Sequence, residues 1–523
     1  MPPFAPPRAP HHQSVIVRSL PNVTPEERKA IFRDIEYNIF NFPATLLSVD
    51  FLTDSGTSAI TDIQVSRISF YREEVLQPHQ GGFANRGIHQ LERSNFFIVP
   101  QSRYPESLLF SSLGDAIAKT SPDPKPPIII SNSFFNTTAA NAKIAGFKLQ
   151  VFTNPALQAP FPPELIRKRN EFKGNLDIPT AEAFLENNQV TIILLTITNN
   201  WAAGQPVSIA NIREAARLAK KHDIPLFFDA YRFAENTFFI QKFEDGFSEH
   251  SIPKIIQEIF GYTDGFTISL KKDGLTNIGG VLCFHNNRLF TRRYQGISLS
   301  MKERQLICYS NDAYSGSIYL LLRPRPLLYP STYANTDLEV SGRDLIAATA
   351  GLYKTTKASF LATRVYQVQS FAQKLLANGV PVLSPPGGHT VFLDIKEFFT
   401  RYNRDPELFS SVGFTIKLIK DYSIRAIKSG PFAWEFNKKT PEERAKIPDL
   451  VRFAVPHNVL SDEHINYAVT AIKALHKQRH TIPNVIITKD KETHLRHFQV
   501  GMKPVPVSKA INKSYIAEAE QQL

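Results

Sequence analysis

The stretch from Val190 to Phe233 constrains the fold more than any other part of the chain. "VTIILLTITNN" (190–200) and "IPLFFDAYRF" (224–233) are short β-branched or aromatic runs that end in polar residues. Between them "SIANIREAARLAKKH" (208–222) carries apolar residues at helical spacing. Strand, helix, strand in that order predicts a βαβ unit and a mostly parallel sheet. "PIIISNSFF" (127–135) before it and "FTISL" (266–270) after it extend the series. In such sheets ligands bind beyond the carboxyl ends of the strands, where Asn200, Asp229 and Lys272 fall.

A chain of 523 residues exceeds what one hydrophobic core usually serves, so more than one domain is expected. Residues 1–13 are Pro- and His-rich and read as a loose arm. "TPEERKAIFRDIEYNIFNF", from Thr24, opens with a Thr-x-x-Glu capping box and reads as a helix within an N-terminal segment, 14–60, expected to pack with the small domain. Residues 61–335 read as the large domain. After about residue 335 a helical stretch, "SGRDLIAATAGLYKTTKASFLATRVYQVQSFAQKLLANG", precedes "VPVLSPPGGHTVFLDI" and "LVRFAVP". This predicts a smaller α+β domain over 336–498, followed by a basic tail, 499–523. Segments 75–90 and 303–330 read as loops or insertions; the Pro/Arg run in the second is either a surface connection or a polyproline II segment.

Composition excludes several classes. Hydrophobic residues at 42% and charged residues at 21% match an ordinary globular protein. Cys283 and Cys308 are the only cysteines, both in apolar surroundings, which argues against a disulfide framework and a Cys-rich zinc site. The N-terminus has no apolar signal region and no run is long enough to span a bilayer, so a cytoplasmic protein without membrane attachment is expected. The formal net charge of +12 is spread along the chain with no nucleic-acid motif beside it. It suits anionic small ligands rather than nucleic acid.

No G-x-G-x-x-G, Walker loop, G-x-S-x-G elbow or H-E-x-x-H is present. What remains is an aspartate at one strand end and, 43 residues on, a lysine pair at the end of a later strand, with scattered Arg, Ser and Asn. That set suits pyridoxal phosphate. Its aldehyde needs a lysine amine, its pyridinium nitrogen a carboxylate, and its phosphate hydroxyls, amides and an arginine.

Six segments then carry a specific likeness: "DFLTDSGTSAITDIQ", "NNWAAGQPVSIANIREA", "FFDAYRFAENTFFI", "TISLKKDGLTNIGGVLC", "GGHTVFLD" and "LVRFAVP". In this order, from about Asp34 to Phe498, the chain resembles the tryptophanase and tyrosine phenol-lyase family, β-eliminating lyases with an aspartate-aminotransferase-like fold. The resemblance implies an α/β protein of pyridoxal-phosphate fold type I, with a mostly parallel large domain and a smaller α+β domain.

It also implies roles. In the family's Ser-x-Lys-Lys-Asp pattern the second lysine bears the cofactor and later moves the substrate proton, which makes it Lys272 here. Lys271 beside it would depress its pKa by like-charge repulsion; read alone, Lys271 is an exposed strand-end charge. Ser269 matches a phosphate contact, Asp229 the pyridinium partner, and Arg232 and Asn200 the residues near the ring hydroxyl. Phe135 matches the aromatic stacked on the ring; without the family it reads as core. Gln101, Ser102 and Arg103 take the places of a Gln-Gly-Arg phosphate loop. Arg452 matches the arginine that binds the substrate α-carboxylate, a task suited to a bidentate guanidinium; read alone it is a surface ion-pair residue. Gly56, Glu73 and Asn277 match a potassium site, and a homotetramer, or a dimer, is implied.

Departures bear on the leaving group. Where the family has a proton-donating tyrosine this chain has Val75, followed by an insertion. Asn136 replaces the family's Thr or Asp after the stacking aromatic. Ser429, after Lys428, stands where the phenol-lyases carry arginine, whereas His497 matches a tryptophanase histidine. The expected activity is α-proton abstraction from an amino acid followed by β-elimination or Cβ bond cleavage. The alternatives are a biosynthetic enzyme performing β-replacement, retro-aldol cleavage or C–C bond formation, a non-catalytic relative, and an interaction protein using the Pro/Arg insertion.

Overall fold

All seven residues of Val190–Thr196 are buried, although a half-exposed strand would alternate. A run buried on both faces marks an interior strand of a parallel sheet covered by helices. The computed structural model describes residues 23–55, 57, 59, 61, 63–64, 96–99, 105–118, 126–199, 202–277, 279–284, 342–402, 404–432, 440, 447–489 and 500–506. These divide into two units, one drawn from 55–160 and 168–365, the other from 12–54, 161–167 and 366–523. The arm, the insertions 75–90 and 303–330, and residues 499 and 507–523 of the tail lie outside the described residues.

In chain order β1 (Val49–Asp50) belongs to the second unit. The first unit holds β2 (Phe96–Val99), β3 (Ile128–Ser131), β4 (Lys148–Val151), β5 (Val190–Thr196), β6 (Leu226–Asp229), β7 (Gly265–Ser269) and β8 (Gly280–Phe284). They form one sheet in the order β2-β8-β7-β6-β5-β3-β4. The four pairings that link β4, β3, β5, β6 and β7 are parallel, while β8 runs antiparallel to both its neighbours. Helix Ile209–Lys221 is the predicted crossover between β5 and β6. Ser208 caps it by accepting the Asn211 N–H, and Ile209, Ile212, Ala215, Leu218 and Ala219 form its buried stripe. Glu244 adds a carboxylate at the same end, accepting from Ile209 and Ala210 N–H at 2.8 and 2.9 Å. One core of this unit packs Leu108, Phe110, Ile129, Ile192, Leu194, Phe227 and Leu282.

The second unit opens with helix Pro25–Asp34, whose capping box on Thr24 and Glu27 forms as the sequence predicts. It further holds β9 (Thr390–Asp394), β10 (Ile424–Arg425), β11 (Ile427–Ser429), β12 (Leu450–Ala454), β13 (Asn484–Ile487) and β14 (Met502–Val505). β11, β12 and β9 form an antiparallel sheet, and β1 pairs in parallel with β10. Asp50 on β1 holds Arg425 on β10 by two hydrogen bonds, 3.1 and 2.6 Å long, so this pair is committed to structure. The helical stretch after residue 341 is two helices, Gly342–Thr355 and Ala358–Ala377, separated at Thr356 and Lys357. No helix among the described residues is long and apolar enough to cross a membrane.

Candidate active site

The parallel register sets the carboxyl ends of three strands side by side. Thr196 on β5 is opposite Asp229 on β6, and Asp229 is opposite Thr267 on β7. Beyond Asp229 the Ala230 N–H donates to Thr267 O at 2.8 Å, and the Arg232 N–H donates to Ile197 O at 3.3 Å, so the segment leaving β6 is held to both neighbours. Beyond Ser269 the chain closes a turn. Lys272 N–H donates to Ser269 O at 3.2 Å, and Leu275 N–H donates to Lys272 O at 2.9 Å.

The turn separates the two lysines. Lys271 is half-buried, whereas Lys272 is 5% exposed. The Lys272 ammonium lies 4.6 Å from the centre of the Tyr231 ring, two residues past Asp229. The lysine end of β7 and the aspartate end of β6 therefore meet through side chains as well as backbone. Asp229, Arg232 and Ser269 are 2%, 4% and 5% exposed. A carboxylate, a guanidinium and an amine are thus all withdrawn from water around the carboxyl ends of β6 and β7.

Phe135 follows β3 as the half-buried N-cap residue of helix Asn136–Ile144, and Thr138 in that helix's first turn donates to Asp229 Oδ2 at 3.1 Å. Asn132, between β3 and Phe135, bridges to β5: its amide donates to Thr196 O at 3.1 Å and its Oδ1 accepts the Thr196 N–H at 2.9 Å. Thr267 Oγ1, buried beside Asp229 on the same face of the sheet, has no hydrogen-bond partner among the described residues. Cys283 on β8 is buried, and burial pushes its thiol up to about 12, so it is no nucleophile at neutral pH.

Lys272, Lys271, Asp229, Arg232, Ser269 and Phe135 thus lie in one unit, around the ends of β3, β6 and β7. Asn277, in the same unit, is exposed just past the turn. Arg452 lies in the other unit, on β12, where it is 8% exposed and donates to Leu52 O at 3.2 Å. Lys428 and Ser429 on β11 are both buried. Burial lowers the Lys428 amine to about 7; its Nζ has no hydrogen-bond partner among the described residues and faces the rings of Phe40 and Phe432 at 4.7 and 5.0 Å. Gln101, Ser102, Arg103, Asn200, Gly56, Glu73, Val75 and His497 lie outside the described residues.

Sequence reasoning missed Thr138, Tyr231 and Asp273. The last is 1% exposed, and its Oδ2 accepts the Ala234 N–H at 2.9 Å. The signal for Tyr231 and Asp273 was adjacency to residues already singled out; Thr138 carried none, since a threonine near a helix start usually serves as a cap. As a donor set, the amine, the carboxylate with its hydroxyl support, the guanidinium and the spare Thr267 hydroxyl fit pyridoxal phosphate, which needs a carbonyl-reactive amine and a buried anion for its ring nitrogen.

The comparisons with known proteins agree with this reading of the fold. The chain matches the Beta-eliminating lyase family model over residues 50–471. It is 33% identical to a protein of Trichomonas vaginalis named "Probable beta-eliminating lyase", across 93% of this chain and 97% of that one. It is 31% identical to a tryptophanase of Salinibacter ruber, covering 91% of this chain and 92% of the relative, and 28% identical to a tyrosine phenol-lyase of Symbiobacterium, covering 92% and 95%. Among solved structures, an aspartate aminotransferase of Thermotoga maritima superposes with a TM-score of 0.50 at 12% identity, over 86% of this chain and 95% of the other. That likeness shows the aminotransferase-like α/β fold, and the family match together with the relatives shows that this chain belongs to the β-eliminating lyases.

Proposed function

We propose that the protein is a pyridoxal-phosphate-dependent lyase that removes a substituent from the β-carbon of an amino acid. The observation that carries this reading is the placement of a buried aspartate at the end of β6 and of a buried lysine in the turn after the neighbouring parallel strand β7, packed on Tyr231. Bound pyridoxal phosphate supplies an electron sink for the charge left at Cα when a proton departs.

Lys272 Nζ takes the Cα proton, from a side chain withdrawn from bulk water beside the Tyr231 ring. Asp229 is the acceptor for the proton on the cofactor ring nitrogen, oriented by Thr138. Arg232, Ser269 and Phe135 are the cofactor contacts proposed within the same unit, with Asn200, Gln101, Ser102 and Arg103 as further contacts by family resemblance. Lys271 tunes its neighbour by charge. Arg452 is the proposed ligand of the substrate α-carboxylate. Departure of the β-substituent with its bonding electrons, followed by hydrolysis of the released enamine, gives pyruvate and ammonia. Potassium held by Gly56, Glu73 and Asn277, a homotetrameric or dimeric assembly and a cytoplasmic location complete the proposal.

The test is to load the protein with pyridoxal phosphate and measure pyruvate and ammonia from a panel of amino acids that differ at Cβ. Release from at least one S-substituted cysteine is expected. No keto acid from any of them, with a pyridoxyl group trapped on Lys272, would leave the biosynthetic alternatives.

A further inference from the structure

Lys272 can act only if its amine is held at one place relative to Asp229, and its own side chain has four rotatable bonds with which to miss it. The backbone around it is fixed from several directions. Its N–H and C=O are both used in the turn, to Ser269 O and from Leu275 N–H. The next residue is fixed more firmly still. Asp273 Oδ2 accepts the N–H of Ala234, in the first turn of helix Phe233–Phe243. Asp273 O accepts the Thr355 hydroxyl at 2.8 Å, from the last turn of helix Gly342–Thr355. That helix comes so close to the turn that a Cβ on Gly351 would lie 1.9 Å from Gly274 O.

The bond to Ala234 is the informative one. Helix Phe233–Phe243 begins four residues beyond Asp229, and its own N-cap residue, Arg232, contributes no side-chain hydrogen bond to the helix end. The first N–H groups of a helix need acceptors, and a carboxylate is favoured there by the helix dipole. Here the acceptor comes from the lysine turn, 39 residues along the chain. One charge-assisted bond therefore joins the turn that bears Lys272 to the start of the helix that Arg232 caps and that follows the strand of Asp229.

We propose that Asp273 is the positioning residue of Lys272, setting the place of its amine relative to Asp229 through the bond to Ala234. The proposal rests on the reading that Lys272 is the cofactor-bearing lysine. It goes beyond that reading because Asp273 needs to touch neither cofactor nor substrate.

The experiment compares wild type, D273A, D273N and A234P as full-length proteins. A234P removes the donor and keeps the carboxylate. Proline is compatible with this position, since Pro179 and Pro253 occupy the second residue of two other helices of this chain. Each apoprotein is mixed with pyridoxal phosphate, quenched with borohydride over time, and mapped for pyridoxyl label on Lys272 and Lys271. The pH dependence of the holoenzyme's visible absorbance and the split between kcat and KM for an S-alkylcysteine are measured alongside.

D273A and A234P are expected to label Lys272 about tenfold more slowly, to divert label to Lys271 and to lose roughly 10²-fold in kcat with little change in KM, the order expected for an amine displaced by about 1 Å. D273N, whose amide oxygen can accept the same N–H, should stay within about fivefold of wild type on the same scale. Wild-type labelling of Lys272 in D273A or A234P overturns the proposal, and so does a D273N as slow as D273A. If D273A does not fold, A234P and D273N decide alone. Wild-type label on a different lysine would overturn the functional reading itself, and the peptide map tells that failure from the others.

Discussion

The hydroxyl of Thr138 donates to the carboxylate of Asp229 across 91 residues of sequence, and both side chains are buried. A single hydrogen bond to a charged group is worth about 1.5–3 kcal/mol where no water can replace it. T138V keeps the shape and deletes the donor. It is expected to lower turnover of an S-alkylcysteine roughly tenfold or more and to loosen cofactor retention on dialysis, while T138S keeps both. A T138V enzyme with wild-type kcat and cofactor content would remove Asp229 orientation from the account.

K272A is expected to lose all borohydride-stable attachment of the cofactor and all pyruvate release. K271A should keep the attachment and a measurable rate. The difference in burial between the two lysines is the physical basis, and mass spectrometry of the reduced protein reads it directly.

Stability should pass through a trough near neutral pH because of two buried groups in the second unit. Burial, partly offset by the hydrogen bond with Ser411 and reinforced by Asp394, raises the Asp449 carboxyl from its ordinary 3.8 to about 7. The folded chain therefore keeps a proton that the unfolded chain has lost, and stability falls as pH rises from about 4 to about 7. Burial lowers the Lys428 amine from 10.5 to about 7, so the unfolded chain binds the extra proton, and stability rises from about pH 7 to about 10.5. Each group adds a slope of at most about 1.4 kcal/mol per pH unit within its window. Urea midpoints from pH 5 to 10 should show D449N flattening the acid limb and K428M the alkaline limb. Parallel curves for wild type and both variants would contradict this.

Selectivity should follow the β-leaving group. Breaking a Cβ–C bond to an indole or phenol ring requires protonation of the ring carbon, and a positioned acid contributes about 10²–10⁴-fold. The proposed counterpart of the family's tyrosine, by resemblance, is Val75, and a valine cannot donate a proton. S-substituted cysteines need no such acid. Pyruvate release from an S-alkylcysteine is therefore expected to exceed that from tryptophan or tyrosine by about 10²-fold or more. Efficient turnover of either aromatic amino acid would mean that another residue, such as Tyr71 or a tyrosine of the 303–330 insertion, supplies the proton.

The parallel sheet was legible because Val190–Thr196 and Leu226–Asp229 are unbroken apolar runs and Ile209–Lys221 between them has a clean helical stripe. The capping box at Thr24 was legible because it is local. The break at Thr356 and Lys357 was not, since neither residue forbids a helix and tertiary packing decides. At the site, Asp229 and Lys272 could be found as chemically unusual residues at strand ends. Thr138 and Ala234 could not be tied to them, because a hydrogen bond across 91 or 39 residues leaves no periodic trace. Lys428 is the opposite case. A lysine in a short strand reads as a solvated charge, and only the rings of Phe40 and Phe432 reveal that it is buried.

The pairing of β1 with β10 has a consequence for biosynthesis. Asp50 and Arg425 are 375 residues apart, so the N-terminal strand leaves the ribosome long before the strand it must join. At about 5–20 residues per second the interval is roughly 20–75 s. For most of it Phe32, Phe42, Leu47 and Phe51, all buried in the finished protein, lack the later-made residues they pack against. A nascent chain that shows four such side chains for so long is a natural client for a ribosome-associated chaperone, and the unit containing its first helix is among the last parts of the molecule to fold.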